Sequence, residues 1–425
     1  MTDARTQAAI ETVIRLESAR LIAGLARYTG DVGLAEDLAQ DAVVAALEKW
    51  PAEGVPRNPA AWLMTVAKRR AIDSFRRNTE LAKKYAEIGR ALEAEGDTVQ
   101  PDFDQAFSND IDDDLLRLIF TACHPVLSVP ARVALTLRLL GGLTTAEIAR
   151  AYLVPEPTIA QRIVRAKKTL AQARVPFEVP APSERPARLS SVLEVIYLIF
   201  NEGYSATAGD DWMRPALCAE AVRLTRVLAQ LAPDEPEVQG LAALLEIQAS
   251  RIPARTDSAG APVLLLDQDR MRWDRLLIGR GLAALQKALD LGGERGPYVL
   301  QAGIAACHAR AFRADETDWA RMVELYEVLA DVMPSPIVEL NRAVAVSMAF
   351  GPQAGLDLVD QLAAEPALSG YHLLPSVRGD LLRKLGRAEE ARAEFERAAE
   401  LTSNERERQL SAERARAIAD DVGEP

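Results

Sequence analysis

The sequence predicts an all-α chain, divided into three helical segments, and three observations carry that prediction. Aromatic residues make up only 5% of 425 residues while alanine, leucine, arginine and glutamate recur throughout, the composition of a mostly helical protein. Between the breaks, apolar residues return at spacings of three and four behind recognisable capping signals. The length also exceeds what one hydrophobic core usually supports, so more than one domain is expected.

The first break is acidic. Residues 91–114 hold nine acids (Glu93, Glu95, Asp97, Asp102, Asp104, Asp110, Asp112, Asp113, Asp114) and no base, with glycine and proline, which reads as a linker. The second is VPFEVPAPSERPARL, whose four prolines favour extended chain. The expected domains are therefore 1–90, 111–174 and 187–425, with linkers at 91–110 and 175–186. Up to Phe177 there are 23 basic and 23 acidic residues; the remaining 27 basic and 39 acidic residues carry the whole formal charge of −12. The C-terminal part is thus a different electrostatic object.

Several classes are excluded early. No apolar run reaches the roughly 20 residues of a membrane span, and MTDARTQAAIETVIRLESAR has no apolar signal core, so a cytoplasmic location and no membrane partner are expected. Cys123, Cys218 and Cys307 are too far apart for a disulfide framework or a CxxC site and read as buried thiols. Cys123-His124 and Cys307-His308 have no carboxylate at ligand spacing, so no metal and no cofactor are expected.

The most specific local motif is GGLTTAEIARAYLVPEPTIAQRIVRAKKTL. Thr144 and Glu147 form a T-x-x-E capping box that opens a helix with Ile148, Ala149 and Tyr152 inward. Leu153-Val154-Pro155 makes the turn. A second helix from near Pro157 puts Ile159, Ile163, Ala166 and Leu170 on one buried face and Thr158, Gln161, Arg162, Arg165 and Lys168 on the other. Short helix, tight turn and second helix with a hydrogen-bonding, cationic face is the pattern of a DNA-reading helix-turn-helix. Such a face supplies donors for base edges and cations for phosphates.

In the first segment, GDVGLAEDLAQDAVVAALEKW reads as an amphipathic helix with Leu34, Leu38, Ala42 and Ala45 inward and Asp37, Gln40 and Asp41 outward. After a proline-rich break, Asn58 caps a helix with Pro59 at its first position. Trp62, Leu63, Val66, Ala67 and Phe75 form its apolar face, and Lys68, Arg69, Arg70, Arg76 and Arg77 gather towards its end.

AEDLAQD, then PAAWLMTVAKRRAIDSFRR, then an acidic linker, then TTAEIARAYLVPEPTIAQRIVRAKKTL resembles the bacterial RNA polymerase sigma factors of the extracytoplasmic function (ECF) group, over residues 10–175. The resemblance implies a sigma region 2 helical domain that binds the beta-prime clamp helices of core RNA polymerase and melts the minus 10 element. It also implies a helix-turn-helix region 4 domain that reads the minus 35 element and contacts the beta flap. Asp37, Leu38, Gln40 and Asp41 then match the polymerase-binding helix. Lys68, Arg69, Arg70, Arg76 and Arg77 match the minus 10 reader, although the family often has asparagine where Arg69 stands. Thr158, Gln161, Arg162, Arg165 and Lys168 match the minus 35 reader. Promoter DNA and core polymerase are the implied partners, and polymerase supplies the nonspecific phosphate attraction that an acidic chain lacks.

The third segment reads as helices joined by short turns. In LLRKLGRAEEARAEFERAAEL, Gly386, Ala391, Phe395 and Ala398 stand at tetratricopeptide (TPR) offsets, and Gly351 lies 35 residues before Gly386. A C-terminal helical-repeat, TPR-like domain is expected. With YLIFNEGYSA ahead of it, the layout is similar to the ECF subgroup that carries a C-terminal TPR extension (ECF42-like), which implies that residues 187–425 regulate activity through a protein or ligand partner. Asn201 and Gly203 are read as fixing a buried turn. Asp210, Asp211, His308 and His372 lack any nucleophile, phosphate-loop or metal spacing, so no enzyme is expected. The competing class is a helix-turn-helix repressor or activator that senses a ligand or partner and acts without polymerase.

Overall fold

A computed structural model describes residues 2–77, 103–206 apart from 153, and 212–423 apart from 259. The described residues form helices with no strand, and a lone bridge joins Thr256 and Pro262. Two compact units divide the chain, Met1–Ile196 and Tyr197–Pro425.

The first unit opens with α1 (Thr2–Thr29), α2 (Val32–Glu53) and α3 (Pro59–Arg77). Gly30, at φ +65°, reverses the chain after α1. The Asp31 carboxylate accepts from the backbone N–H of Gly33 at 2.7 Å and Leu34 at 3.1 Å, which starts α2 at once. The expected cap of α3 is present, with Asn58 Oδ1 accepting from Ala61 N–H at 3.0 Å. Leu21, Ile22 and Leu25 of α1, Leu38 and Ala42 of α2, and Leu63 and Ala67 of α3 are buried among these three mutually packed helices. Trp62 meets Trp50 edge to face at 5.4 Å between ring centres, so both tryptophans pack the core. The proline at position 51 does not end α2, which runs to Glu53; the break comes at Gly54, φ +82°.

Helix α4 (Phe103–Ala122) differs from the expected linker, because residues 103–114 are helical. Asp104 falls in the first turn, at the positive end of the helix dipole, where an acid is favourable. Asp114 is buried and takes Arg117 Nη1 at 2.6 Å and Arg27 Nε at 3.4 Å, so its charge is compensated inside the fold. Residues 91–102 and Leu153 lie outside the described residues. Helices α5 (Val129–Leu139), α6 (Thr145–Ala151) and α7 (Glu156–Gln172) follow.

Helix α8 (Arg185–Tyr204) begins inside the proline-rich stretch, with Pro186 in its first turn, and the division between units falls inside it. Residues 187–196, expected in the C-terminal domain, belong to the first unit. Arg132 of α5 donates to the Ser191 hydroxyl and to Glu194 at 3.0 Å, and Arg188 donates to the Phe120 carbonyl at 2.8 Å. Asn201 and Gly203 sit in the last turn of α8, not in a separate turn. A Cβ on Gly203 would stand 2.7 Å from Cys218 N, so glycine is there for close helix contact.

In the second unit, α9 (Pro215–Leu231), α10 (Pro236–Ser250), α11 (Arg275–Asp290), α12 (Pro297–Arg310), α13 (Trp319–Val332), α14 (Pro336–Phe350), α15 (Pro352–Leu362), α16 (Leu373–Lys384), α17 (Ala388–Leu401) and α18 (Glu405–Gly423) pack mainly on their sequence neighbours. Helix α10 is buried on nearly every side and contacts α9, α11 and α12, as its almost unbroken apolar sequence requires. Ala391, Phe395 and Ala398 face inward from α17, and Phe395 packs against Gly379 of α16. Gly351 and Gly386, at φ +102° and +75°, each turn the chain between paired helices. The three cysteines are buried and free; burial raises the Cys123 thiol to about 11 and Cys218 to about 12.

Candidate nucleic-acid and polymerase interface

The helix-turn-helix is built as its sequence predicts. Thr144 Oγ1 accepts from Glu147 N–H at 3.1 Å, and the Glu147 carboxylate accepts from Thr144 N–H at 2.7 Å, closing the capping box at the start of α6. Helix α7 buries Ile159, Ile163, Ala166 and Leu170. That stripe fixes the rotation of the helix and so turns Gln161, Arg165 and Lys168 to solvent, with Thr158 and Arg162 half-buried beside them. Among the described residues no ion pair engages Arg162, Arg165 or Lys168, which leaves these cations available to phosphate. Val164 stands between them, 64% exposed. The sequence did contain that signal: an apolar residue off the buried stripe.

On α3, Arg69 is exposed while Lys68 lies over the Tyr28 ring at 4.9 Å and Arg70 pairs with Asp41 at 3.2 Å. The side chains of Phe75, Arg76 and Arg77 lie outside the described residues. Of the polymerase-contact candidates on α2, Asp37, Gln40 and Asp41 are exposed, whereas Leu38 is buried in the core.

Sequence reading missed the centre of this arrangement. Glu36, one residue before Asp37, is 3% exposed and lies where three elements meet. It accepts from Arg138 Nε of α5 at 2.6 Å, from Gln40 Nε2 at 2.6 Å, and pairs with Lys167 of α7. Lys167 also reaches Asp37 at 3.7 Å. Burial pushes the Glu36 carboxyl up, but Lys167 and Arg138 outweigh it and hold it below the usual carboxylate range. The polymerase-contact candidate Asp37 and helix α7, which carries the DNA-contact candidates, are thereby tied to one clasp. The pattern held a sign of this, since Glu36 falls on the same helical face as the buried Ala39; the partners, about a hundred residues away, could not be read from it.

Among the described residues no group of histidine, cysteine and carboxylate side chains could hold a metal ion, and no helix is long and apolar enough to cross a membrane. His372 instead pairs with Glu407 at 2.9 Å, and His308 is buried edge to face against Trp319. Asp210 and Asp211 lie outside the described residues.

The first unit thus joins a capped helix-turn-helix with a solvated cationic face to a three-helix domain with a basic helix. Residues 14–80 match sigma-70 region 2, residues 117–170 match sigma-70 region 4, and residues 188–289 match a family of unknown function (DUF6596). The chain is 46% identical over 394 residues, 92% of either sequence, to an uncharacterized protein of Rhizobium meliloti (strain 1021), and it belongs to that protein's family. The two sigma-70 domains support a sigma factor in transcription initiation, working with RNA polymerase and promoter DNA.

Proposed function

We propose that the chain is an ECF-type sigma factor with a C-terminal TPR-like regulatory extension, acting in the cytoplasm. The observation that supports it best is the pairing of matched regions 2 and 4 in one chain with Arg162, Arg165 and Lys168 on α7, which have no ion pair among the described residues. In this reading Thr158, Gln161, Arg162, Arg165 and Lys168 read the minus 35 element, and Val164 offers methyl groups to a thymine methyl. Lys68, Arg69, Arg70, Arg76 and Arg77 serve the minus 10 element, where cations hold the opened strand. Asp37, Gln40 and Asp41 contact the beta-prime clamp helices and Leu38 shapes that surface from beneath.

The clasp at Glu36 adds a condition. Lys167 competes with polymerase for Asp37, so engagement of core enzyme requires α7 to leave α2. Residues 197–425 bias that step through a bound partner or ligand. Run-off transcription with purified core polymerase tests the reading, using the full chain and a chain lacking residues 197–425. Initiation at a defined site supports sigma function, and a difference between the two chains supports regulation; no site-specific transcript rejects the first and identical behaviour rejects the second.

A further inference from the structure

Among the described residues, the second unit contains a buried arginine side chain with no direct ion pair or hydrogen bond. Four other arginines of this unit are paired with acids: Arg214 with Glu202, Arg226 with Glu246 at 2.6 Å, Arg378 with Asp360 and Glu394, and Arg414 with Asp380. Arg270 gives its terminal nitrogens to the His308 and Ala311 carbonyls and the Thr317 hydroxyl at 2.9–3.0 Å.

Arg255 differs from all of these. It is 6% exposed, its Nε is buried without a partner, and among the described residues its guanidinium makes no hydrogen bond and no ion pair. What it does touch is aromatic, the Tyr204 ring at 3.5 Å and the Trp212 ring at 4.5 Å from its central carbon. Those contacts occupy the flat faces of the group and leave its in-plane N–H donors without acceptors. Arg251, 5% exposed, adds a second positive charge nearby: its Nε is likewise unpartnered and its terminal nitrogen bonds only the neutral Gln248 amide. Glu407 attracts Arg255 through space without a direct contact, its oxygens being taken by His372 at 2.9 Å and Thr402 at 2.8 Å.

A buried guanidinium whose donors lack acceptors is costly to take out of water, and a fold keeps such a group where something else supplies the acceptor. A carboxylate or phosphate fits that edge in the bidentate geometry that guanidinium favours. We propose that Arg255, supported by Arg251 and framed by Tyr204 and Trp212, anchors a binding site for a small oxyanion-bearing ligand. The four residues all fall within the segment that matches the family of unknown function, residues 188–289. The site stands independently of the sigma reading, since it lies wholly in the second unit.

The test uses the full chain, with inorganic phosphate and citrate as probes and sodium chloride at matched ionic strength as control. The melting temperature of the wild type should rise saturably with phosphate or with citrate, and which of the two acts distinguishes a phosphate from a carboxylate ligand. The rise should vanish in Arg255→Met, whose unliganded melting temperature should equal or exceed that of the wild type. Should Arg255→Met not fold, tryptophan fluorescence carries the test: the probe should change the emission of the wild type and leave that of Trp212→Phe unchanged. The proposal is overturned if neither probe acts beyond chloride, if Arg255→Met keeps the response, or if Asp210→Asn with Asp211→Asn destabilises the unliganded chain while Arg255→Met no longer adds to that loss. The last result would identify an internal partner for Arg255.

Discussion

Glu36 accepts a hydrogen bond from Arg138 Nε at 2.6 Å, across 102 residues of sequence. A carboxylate 3% exposed holds one cation from α5 and a second, Lys167, from α7, so the first unit closes around a single charged atom group. Charge-assisted bonds to a buried carboxylate contribute about 1.5–3 kcal/mol each to stability, and an unmatched cation left behind adds a desolvation cost.

Glu36→Gln should therefore destabilise the first unit by about 1.5–3 kcal/mol, since both cations are part-exposed and can recover some hydration. Urea denaturation followed by circular dichroism measures it. Lys167→Met should act differently, weakening the hold on Asp37 and raising the affinity for core polymerase in a pull-down; equal or lower affinity would show that the clasp does not gate that surface.

The same clasp is sensitive to acid. Because the Glu36 pKa is depressed on folding, its contribution is fully present above the ordinary carboxylate range and is lost as pH falls through the depressed value. In the second unit His308 is held down to about 3 by burial, with Arg251 and Arg270 adding to the effect. The unfolded chain binds that proton near pH 6.5 and the folded chain does not, so stability should decline from about pH 6.5 towards 3. Chemical denaturation at pH 7.5 and 5 should show this decline in the wild type and a smaller one in His308→Phe.

Arg162 and Arg165 have no carboxylate partner on α7. Changing each to Ala should reduce the slope of log affinity against log salt by roughly 0.9 for promoter DNA bound by the holoenzyme. An unchanged slope for both would place these side chains away from phosphate.

Gly203→Ala should destabilise the chain by about 1–3 kcal/mol, because the new methyl group meets the Cys218 backbone nitrogen and that backbone cannot yield. Thermal melting of the variant against Gly279→Ala, where a Cβ meets nothing within 4 Å, isolates the effect.

The legible parts of the molecule were those governed by short-range rules. The Thr144–Glu147 capping box, the Ile159–Leu170 stripe and the Asn58 cap depend on residues three or four apart, and each stands as its spacing requires. Local rules also misled in two places. Acids from 103 to 114 signalled a linker but lie in helix α4, where Arg117 pairs with Asp113 and Asp114 and Arg27 with Asp114. Gly203 signalled a turn but serves a close helix contact. What stayed illegible was pairing at long range: the partners of Glu36, and the absence among the described residues of a hydrogen-bond acceptor for the Arg255 guanidinium, follow from tertiary packing that no local pattern encodes.

The most direct measurement is promoter-dependent initiation by core RNA polymerase supplied with the purified full chain. A transcript that begins at one defined site, and weakens when Arg162 and Arg165 are both changed to alanine, is the predicted result. Binding of the chain to duplex DNA without core enzyme, together with no site-specific transcript in its presence, would contradict it.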